Sequence, residues 1–294
     1  MAAFQTIDLR TASDQEAYSV AIQEERTVVV FKRSMHAHLR YERSETVELL
    51  VQDGVTIQLF QEPLMAGIAL VLTMILKPGS TVRQLVLPQQ AGYQINEQYQ
   101  LEEHARLYSA FGELCADTNV HQSTYHLVGR FAKLESTFVY MNAGTSHKTT
   151  DITVYHHVKD TSANVENYGV VAGKSKLLVN VDSKIVKGAS GSETHQTSRI
   201  LTFDEGVHAR VLPALHIDEN DVKASHACSM GVIDENHLYY LQSRGLTRSQ
   251  AVQLIVSGYL SPLSEIFDGD ELKEEISHII DTKAGEYVGL ESNS

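Results

Sequence analysis

Apolar residues in the first 220 positions come in short runs and not in long helical stripes. The runs are rich in Val, Leu, Ile and Tyr and are separated by Gly, Asn and charged turns. Several alternate apolar and polar residues with period two, which is typical of half-buried strands. Residues 101–114 fit either a strand or a helix. The predicted strands include Thr27–Lys32, Val47–Val51, Val55–Phe60, Gly67–Leu76, Val82–Leu87, Arg130–Tyr140 and Lys176–Val186.

A weak internal repeat accompanies these runs, in which a small residue, a basic residue and an apolar residue follow one another. Its spacing is irregular, but several intervals suit stacked supersecondary units. Short strands in repeating units, without helices between them, predict a β-solenoid or a sandwich. Chance is the alternative, because Ala and Leu are common. The repeat occurs at Ala37-His38-Leu39, Ala105-Arg106-Leu107, Ala132-Lys133-Leu134, Ser175-Lys176-Leu177 and Ala209-Arg210-Val211.

The pattern becomes helical after residue 231. Asp234 is placed to cap a helix that Gly245 ends. Thr247 and Gln250 have the spacing of a capping box, which predicts a second helix from Ala251 to about Leu260 and leaves open whether it continues beyond Pro262.

A third helix is predicted from Asp270, ahead of a polar C-terminus. The sequence therefore predicts a strand-rich body followed by a small helical domain. The predicted segments are an N-terminal segment (1–26), a strand core (27–232), a helical domain (233–283) and a polar tail (284–294).

Charge and cysteine content narrow the choice of partners and compartment. The chain has 37 acidic and 24 basic residues, a formal charge of −13, so neither nucleic acid nor an anionic membrane surface is an expected partner. Two cysteines are too few for a disulfide framework. The longest apolar stretch, Leu64–Leu76, is shorter than the roughly 20 residues of a membrane span. No signal-peptide pattern is present, and a cytoplasmic protein is expected.

Familiar catalytic signatures are missing from the sequence, which predicts a protein that is not an enzyme. Gly173-Lys174-Ser175 resembles the end of a phosphate-binding loop, but Tyr168 stands where that loop needs its first Gly, and a strand is predicted to follow. We therefore expect no bound nucleotide. A carbohydrate-active β-helix enzyme stays an alternative, and it requires carboxylates clustered on one face.

Fourteen histidines raise the possibility of a metal site. His36 and His38 would share one strand face, whereas His156 and His157 would point to opposite faces. Only the first pair has a geometry that chelates directly. Surface histidines on a polar strand face are the simpler interpretation for both pairs.

His226 and Cys228 form a second candidate, because they lie two residues apart in the predicted last strand and share one face. Imidazole and thiolate suit iron or zinc. Since iron–sulfur clusters usually take four protein ligands, another subunit would have to complete such a site. The alternative is a core histidine beside a small buried thiol.

The sequence around these residues resembles the SufB/SufD family of iron–sulfur cluster assembly proteins. The resemblance is weaker upstream, through His157, Gly188–Leu201 and Gln196. The segment Gln196–Ile200 lacks the cysteine that SufB-type members carry there, so the SufD-like branch is favoured. The matching stretches are Pro213-Ala-Leu-His-Ile217, Asp221-Val-Lys-Ala-Ser-His226, Tyr239-Tyr-Leu-Gln-Ser-Arg-Gly245 and Ala251–Leu260.

The resemblance implies a right-handed parallel β-helix with a C-terminal helical domain. It implies a scaffold subunit that pairs with a SufB-like subunit, or with a second copy of itself. It also implies docking of a SufC-type ABC ATPase and cluster delivery to apo iron–sulfur proteins. A transient cluster would be shared with the partner at His226, with Cys228 as a further ligand or a tolerated small residue. The ATPase-docking candidates are Tyr239, Tyr240, Arg244, Gly245 and Tyr259.

Two functional hypotheses follow. The first is a non-catalytic SufD-like subunit of a heteromeric assembly complex. The second is a homo-oligomeric scaffold that holds a cluster or metal itself through His226 and Cys228. Iron uptake by the isolated chain distinguishes them, because only the second hypothesis predicts it.

Overall fold

The computed structural model describes residues 4–23, 25–267 and 270–291. Residues 1–3 of the predicted N-terminal segment and 292–294 of the predicted tail lie outside the described residues. The strands, in chain order, are β1 Gln5–Ile7, β2 Ser13–Asp14, β3 Tyr18–Ile22, β4 Thr27–Phe31, β5 Met35–Tyr41, β6 Glu45–Val51, β7 Thr56–Pro63, β8 Ala69–Leu76, β9 Thr81–Val86, β10 Gln94–Leu101, β11 Arg106–Glu113, β12 Asn119–Leu127, β13 Lys133–Asn142, β14 His147–His156, β15 Ser162–Val171, β16 Lys176–Ile185, β17 Glu193–Thr202, β18 His208–Ile217 and β19 Lys223–Val232.

The strands form two sheets that the chain visits alternately. Sheet 1 has the order β1-β5-β7-β9-β11-β13-β15-β17-β19, and sheet 2 has the order β18-β16-β14-β12-β10-β8-β6-β4-β3-β2. From β6 onwards, each strand pairs in parallel with the strand two places earlier in the chain, which is its neighbour in the sheet. The result is a β-solenoid of about eight turns, which confirms the predicted fold class. The segment 101–114 contributes strand β11 and not a helix.

The length of one coil changes along the solenoid. Ile57 is paired with Val82, which is 25 residues later, whereas Val165 is paired with Gln196, which is 31 residues later. This drift explains the irregular spacing of the sequence repeat. Arg106 and Lys133 are in register on neighbouring coils, but Lys176 is in register with His208 and not with Arg210.

Side chains alternate along each strand between the solenoid interior and its outer surface. Leu, Val and Ile fill much of the interior, together with fully buried tyrosines. Polar interior groups pair across coils. Tyr41 Oη donates to Gln61, Gln61 Nε2 donates to Gln84 Oε1 at 3.0 Å, and Gln84 Nε2 donates to Ser109 Oγ at 2.9 Å. These bonds satisfy amide and hydroxyl groups that would otherwise be costly to bury.

Three helices and one 3₁₀ helix follow the solenoid: α1 Glu235–Ser243, α2 Arg248–Leu260, the 3₁₀ helix Ser261–Ile266 and α3 Asp270–Glu291. The Asp234 side chain caps α1, and Thr247 and Gln250 make the predicted capping box of α2. Helix α2 ends at Leu260, and beyond it the chain continues as the 3₁₀ helix, with Pro262 in its first turn. No helix among the described residues is both long and apolar enough to cross a bilayer.

The helices pack back along the outer face of sheet 1. Apolar residues of that face, such as Leu85 and Ala110, form one buried cluster with residues of the helices. Gly112 leaves the space that Leu263 fills, since a Cβ atom at position 112 would lie 2.9 Å from Leu263 Cδ2. At the other end of the chain, the ring of Phe4 packs edge-on against Phe267, with 5.6 Å between centroids. The helices are therefore attached to the flank of the solenoid.

Candidate functional site

His226 and Cys228 both lie on β19, the last strand of sheet 1. In register with them on β17 are Gln196 and Ser198, whose side chains are buried in the interior. Residues paired across parallel strands point their side chains the same way. His226 and Cys228 therefore occupy interior positions of the last coil, and they are exposed because no described residue forms a coil beyond it.

Apolar residues in the same coil show the same change from buried to exposed. Ile200 on β17 is 2% exposed, and its partner Met230 on β19 is 51% exposed. On sheet 2, Ile185 is 1% exposed and its partner Ile217 is 38% exposed. We call this surface, formed by the interior-facing residues of β18 and β19, the open end. An apolar surface next to two unpaired strand edges is typical of an interaction site.

A polar layer lies directly beneath His226. Gln196 Nε2 donates to Ser183 Oγ at 2.9 Å and to the carbonyl oxygen of Ala214 at 3.2 Å. The other amide atom, Gln196 Oε1, is buried and accepts no hydrogen bond from any described residue. The layer therefore retains an acceptor next to the last coil, where a further hydrogen-bond donor would be favourable.

Among the described residues, the interior-facing positions of the open end carry two possible metal ligands, His226 and Cys228. Partial burial raises the pKa of the Cys228 thiol, so a metal would have to displace its proton. Nowhere in the described part of the chain do three or more His, Cys, Asp or Glu residues form a group that could hold a metal ion. Since a cluster usually needs four protein ligands, a cluster at the open end requires ligands from another chain.

The two histidine pairs singled out in the sequence have different surroundings. His38 Nε2 lies 3.1 Å from Glu62 Oε2, and the His38 ring packs against Phe60. His156 is buried, and its Nδ1 lies 2.8 Å from Thr161 Oγ1, whereas His157 is exposed. Burial, with a smaller contribution from His157, lowers the pKa of His156 to about 4.

The predicted ATPase-docking residues lie on and after α1. Tyr239 is 74% exposed and Tyr240 is 55% exposed, and the Arg244 guanidinium stands 5.2 Å from the centre of the Tyr240 ring. Gly245 has φ +94° and follows the end of the helix. Tyr259, on α2, is partly buried against the helical cluster. Four of the five candidates are therefore exposed, and Tyr259 packs partly into the protein.

A groove of about 430 Å³ joins the helices to the last strand. Val232 and Ile233 line it from the strand side, and Tyr240, Ile255 and Tyr259 line it from the helices. The sequence predicted two of these residues and missed the groove, because the contact between β19 and the helices is not local in sequence. Leu254, 54% exposed on α2, was also missed. Its position off the buried stripe of Ala251, Val252, Val256 and Leu260 was the available signal.

The Gly173 turn does not form a phosphate-binding loop. Gly173 has φ +71°, and the chain continues directly into strand β16 at Lys176, as predicted. A phosphate-binding loop of the P-loop type leads into a helix whose N-terminus faces the phosphates.

A family model described as "SUF system FeS cluster assembly, SufBD core domain" matches residues 12–259. The iron–sulfur cluster assembly protein SufD of Bacillus subtilis is 29% identical over 174 residues, 59% of this chain and 40% of the relative. Two SufBD family proteins of Mycobacterium tuberculosis are 25% identical over 198 residues (66% of this chain, 23% of the relative) and 27% identical over 225 residues (64% and 57%). The chain thus spans less than two thirds of each relative. Because the family model covers most of its length, the chain belongs to the SufBD family of the SUF iron–sulfur cluster assembly system.

Proposed function

We propose that this chain is a non-catalytic, SufD-like scaffold subunit of a cytoplasmic complex that builds iron–sulfur clusters. In this proposal a SufB-like subunit covers the open end, and a SufC-type ABC ATPase docks on the helical domain, residues 233–283. The finished cluster passes from the complex to apo iron–sulfur proteins. Similarity to a curated SufD supports the branch. The observation that carries the proposal is the row of interior residues left exposed on the last coil.

The open end favours a partner built like this chain. Strands β18 and β19 each present ten residues with one unpaired edge. Another parallel solenoid can extend both sheets with main-chain hydrogen bonds and can cover Met230 and Ile217 with its own interior residues. A small globular partner lacks two matching strand edges.

His226 and Cys228 would then lie between two subunits. The cluster is cargo in this arrangement, and imidazole and thiolate are suitable donors for its iron atoms. The missing ligands would come from the SufB-like subunit. Gln196 Oε1, the buried acceptor in the layer below, would orient the His226 ring by accepting a hydrogen bond from it.

The exposed face of the helices suits the ATPase. Tyr239 and Tyr240 offer large, rigid apolar contacts, and the nearby Arg244 adds charge, which is the composition of interface hot spots. Gly245 ends α1 so that the chain can turn into α2. Because Leu263 is seated on the strands of sheet 1 beside Gly112, a movement of the ATPase would be transmitted to the solenoid.

The test is co-purification of the tagged chain from its native cytosol without oxygen. We expect Met230→Arg to lose the SufB-like protein and to retain the ATPase. The double variant Tyr239→Ala/Tyr240→Ala should show the opposite pattern. Val71→Arg, at an exposed apolar residue of β8 on the outer face, is the matched control and should retain both partners. Loss of both partners in all three variants would contradict the two-surface proposal.

Point variants are preferable to truncation at Ile233. Removal of the helices would uncover Leu85, Ala110 and Val139 on sheet 1, and the truncated chain would bind other proteins nonspecifically.

The second candidate function is a homo-oligomeric scaffold. It is favoured by one observation: a single chain offers two ligands at the open end, and two copies would offer four, His226 and Cys228 from each. The measurement is iron content and mass of the isolated chain after anaerobic reconstitution. A dimer with iron that is lost in Cys228→Ser supports this candidate, and an iron-free monomer supports the heteromeric complex.

A further inference from the structure

A pair of histidines meets on the outer face of sheet 2, away from the open end and from the helices on sheet 1. His126 is the penultimate residue of β12, and His157 directly follows β14. His126 Nδ1 lies 3.0 Å from His157 Nε2, although the two residues are 31 positions apart in sequence. The register of β12 and β14 brings them together, because Leu127 pairs with His156.

Aromatic contacts surround the pair. The ring of Tyr155 stacks on His126, with centroids 5.0 Å apart and planes 11° apart, and lies 5.7 Å from His157. The Lys184 ammonium is held near Tyr155 Oη, at 3.4 Å. The two imidazoles are therefore positioned without the help of a ligand, which reduces the entropy that a ligand would have to offset.

The contact between the two nitrogens is possible only if at most one of them carries a proton. One of the two nitrogens therefore has a lone pair directed at the other ring. A metal ion would take a lone pair from each ring once the shared proton moves to the other nitrogen of its imidazole and the exposed His157 ring turns.

The distance between the nitrogens is compatible with chelation. With metal–nitrogen bonds of about 2.05 Å, a separation of 3.0 Å corresponds to an angle of about 94° at the metal, close to the angle between neighbouring ligands in square-planar or octahedral geometry. Imidazole nitrogen suits Cu²⁺ and Ni²⁺, and both ions accept square-planar or tetragonal nitrogen sites.

We propose that His126 and His157 form a bidentate surface site for a divalent transition-metal ion of the Ni²⁺ or Cu²⁺ type, distinct from the open end. Water completes the coordination, since no third His, Cys, Asp or Glu of the described chain joins the pair. The Lys184 ammonium opposes the bound cation and keeps the affinity moderate.

The first experiment is calorimetric titration with Ni²⁺ at neutral pH, on an untagged chain that carries His226→Ala and Cys228→Ala, so that the open end contributes no ligand. One Ni²⁺ per chain is expected. His126→Ala and His157→Ala should each weaken binding roughly tenfold or more, because each removes one of the two donors. His147→Ala, at an exposed histidine at the start of β14, is the matched control and should bind as the parent does.

Two further measurements separate this site from nonspecific binding. The electron paramagnetic resonance spectrum of bound Cu²⁺ should show coupling to two nitrogens in the parent and to one in either histidine variant. Lys184→Met should tighten Ni²⁺ binding, because it removes a positive charge. The proposal is overturned if His126→Ala or His157→Ala binds Ni²⁺ as tightly as the His147→Ala control.

Discussion

The two ends of the solenoid are built in opposite ways. At the N-terminal end the sheets finish in very short strands, β1 with three residues and β2 with two. The β2–β3 hairpin turns antiparallel and runs beside β4, and it places Tyr18 and Val20 in the buried core. At the C-terminal end both sheets finish in strands of ten residues with exposed interior positions.

This difference bears on the proposal that a partner covers the open end. Short edge strands and a change of strand direction are devices that prevent further β-pairing. The C-terminal end has neither device within the described chain, although the rest of the solenoid follows the usual pattern of a buried interior. An apolar surface with unpaired strand edges is typical of an interaction site, so the difference between the two ends supports that proposal.

The largest expected effect on the free energy of unfolding comes from placing the same charge at each end of the solenoid. Val20→Asp buries a carboxylate in the core and should lower the free energy of unfolding by about 3–5 kcal/mol. Met230→Asp places the carboxylate in solvent and should change the free energy of unfolding by less than about 0.5 kcal/mol. Urea denaturation of the isolated chain measures both values.

Equal losses of stability in these two variants would contradict the comparison, because they would mean that the C-terminal end is covered in the isolated chain. Light scattering provides the control for self-association. If the isolated chain is a dimer that Met230→Asp dissociates, the cover is a second copy.

The next largest effect concerns a buried and an exposed histidine. The pKa of His156 is lowered to about 4 in the folded protein, below its ordinary value of 6.5. Between pH 6.5 and 4 the unfolded chain therefore binds more protons, so stability is present above this window and is lost as the pH falls through it. The loss attributable to His156 is about 3 kcal/mol.

The measurement is the free energy of unfolding against pH, compared between the wild type and His156→Gln. Carboxylates titrate in the same window, so the difference between the two curves carries the information. His226→Gln, at the open end, removes no buried imidazole and should keep the wild-type slope. A His156→Gln curve parallel to the wild-type curve would contradict the attribution of this loss of stability to protonation of His156.

Local sequence patterns were sufficient for most of the fold. Period-two alternation predicted strands such as Lys176–Val186, observed as β16, and capping residues predicted the starts of α1 and α2. These features depend on neighbours along the chain, which the sequence displays directly. The placement of His226 and Cys228 in the last strand was obtained in the same way and is confirmed.

Contacts between coils could not be predicted, because they depend on register. The coil lengthens from 25 to 31 residues, so no fixed period relates one coil to the next. This is why sequence analysis paired His36 with His38, which are two residues apart, and missed the contact between His126 and His157 on neighbouring coils. It is also why Gln196 was linked to the site by family resemblance and not by its position beneath His226.

A smaller effect is expected where the helices contact the solenoid. In Gly112→Ala the new Cβ would lie 2.6 Å from Leu87 Cδ1 and 2.9 Å from Leu263 Cδ2, so packing must shift at a cost of about 1–3 kcal/mol. Gly231→Ala, on β19, meets no atom within 4 Å and is the matched control. Urea denaturation should show a loss only for Gly112→Ala. Gly112→Ala combined with Leu263→Ala should destabilise by less than the sum of the single variants.

The smallest effect concerns Pro213 and distinguishes the two edges of the open end. The N–H groups of His208 and Asp218 donate to the carbonyl oxygens of Ser175, just before β16, and Ile185, at its end. By alternation the N–H at position 213 would point away from β16, to the free edge. Pro213 therefore costs the fold no hydrogen bond and removes one donor from the edge that a partner would use.

Pro213→Val should change the free energy of unfolding by less than about 0.5 kcal/mol and strengthen partner binding by about 0.5–1.5 kcal/mol, the value of one hydrogen bond. Leu212→Pro, one position earlier, removes a donor to β16 and should destabilise the fold. Binding that is unchanged in Pro213→Val would place the partner on β19 alone, whose outward N–H groups are uninterrupted.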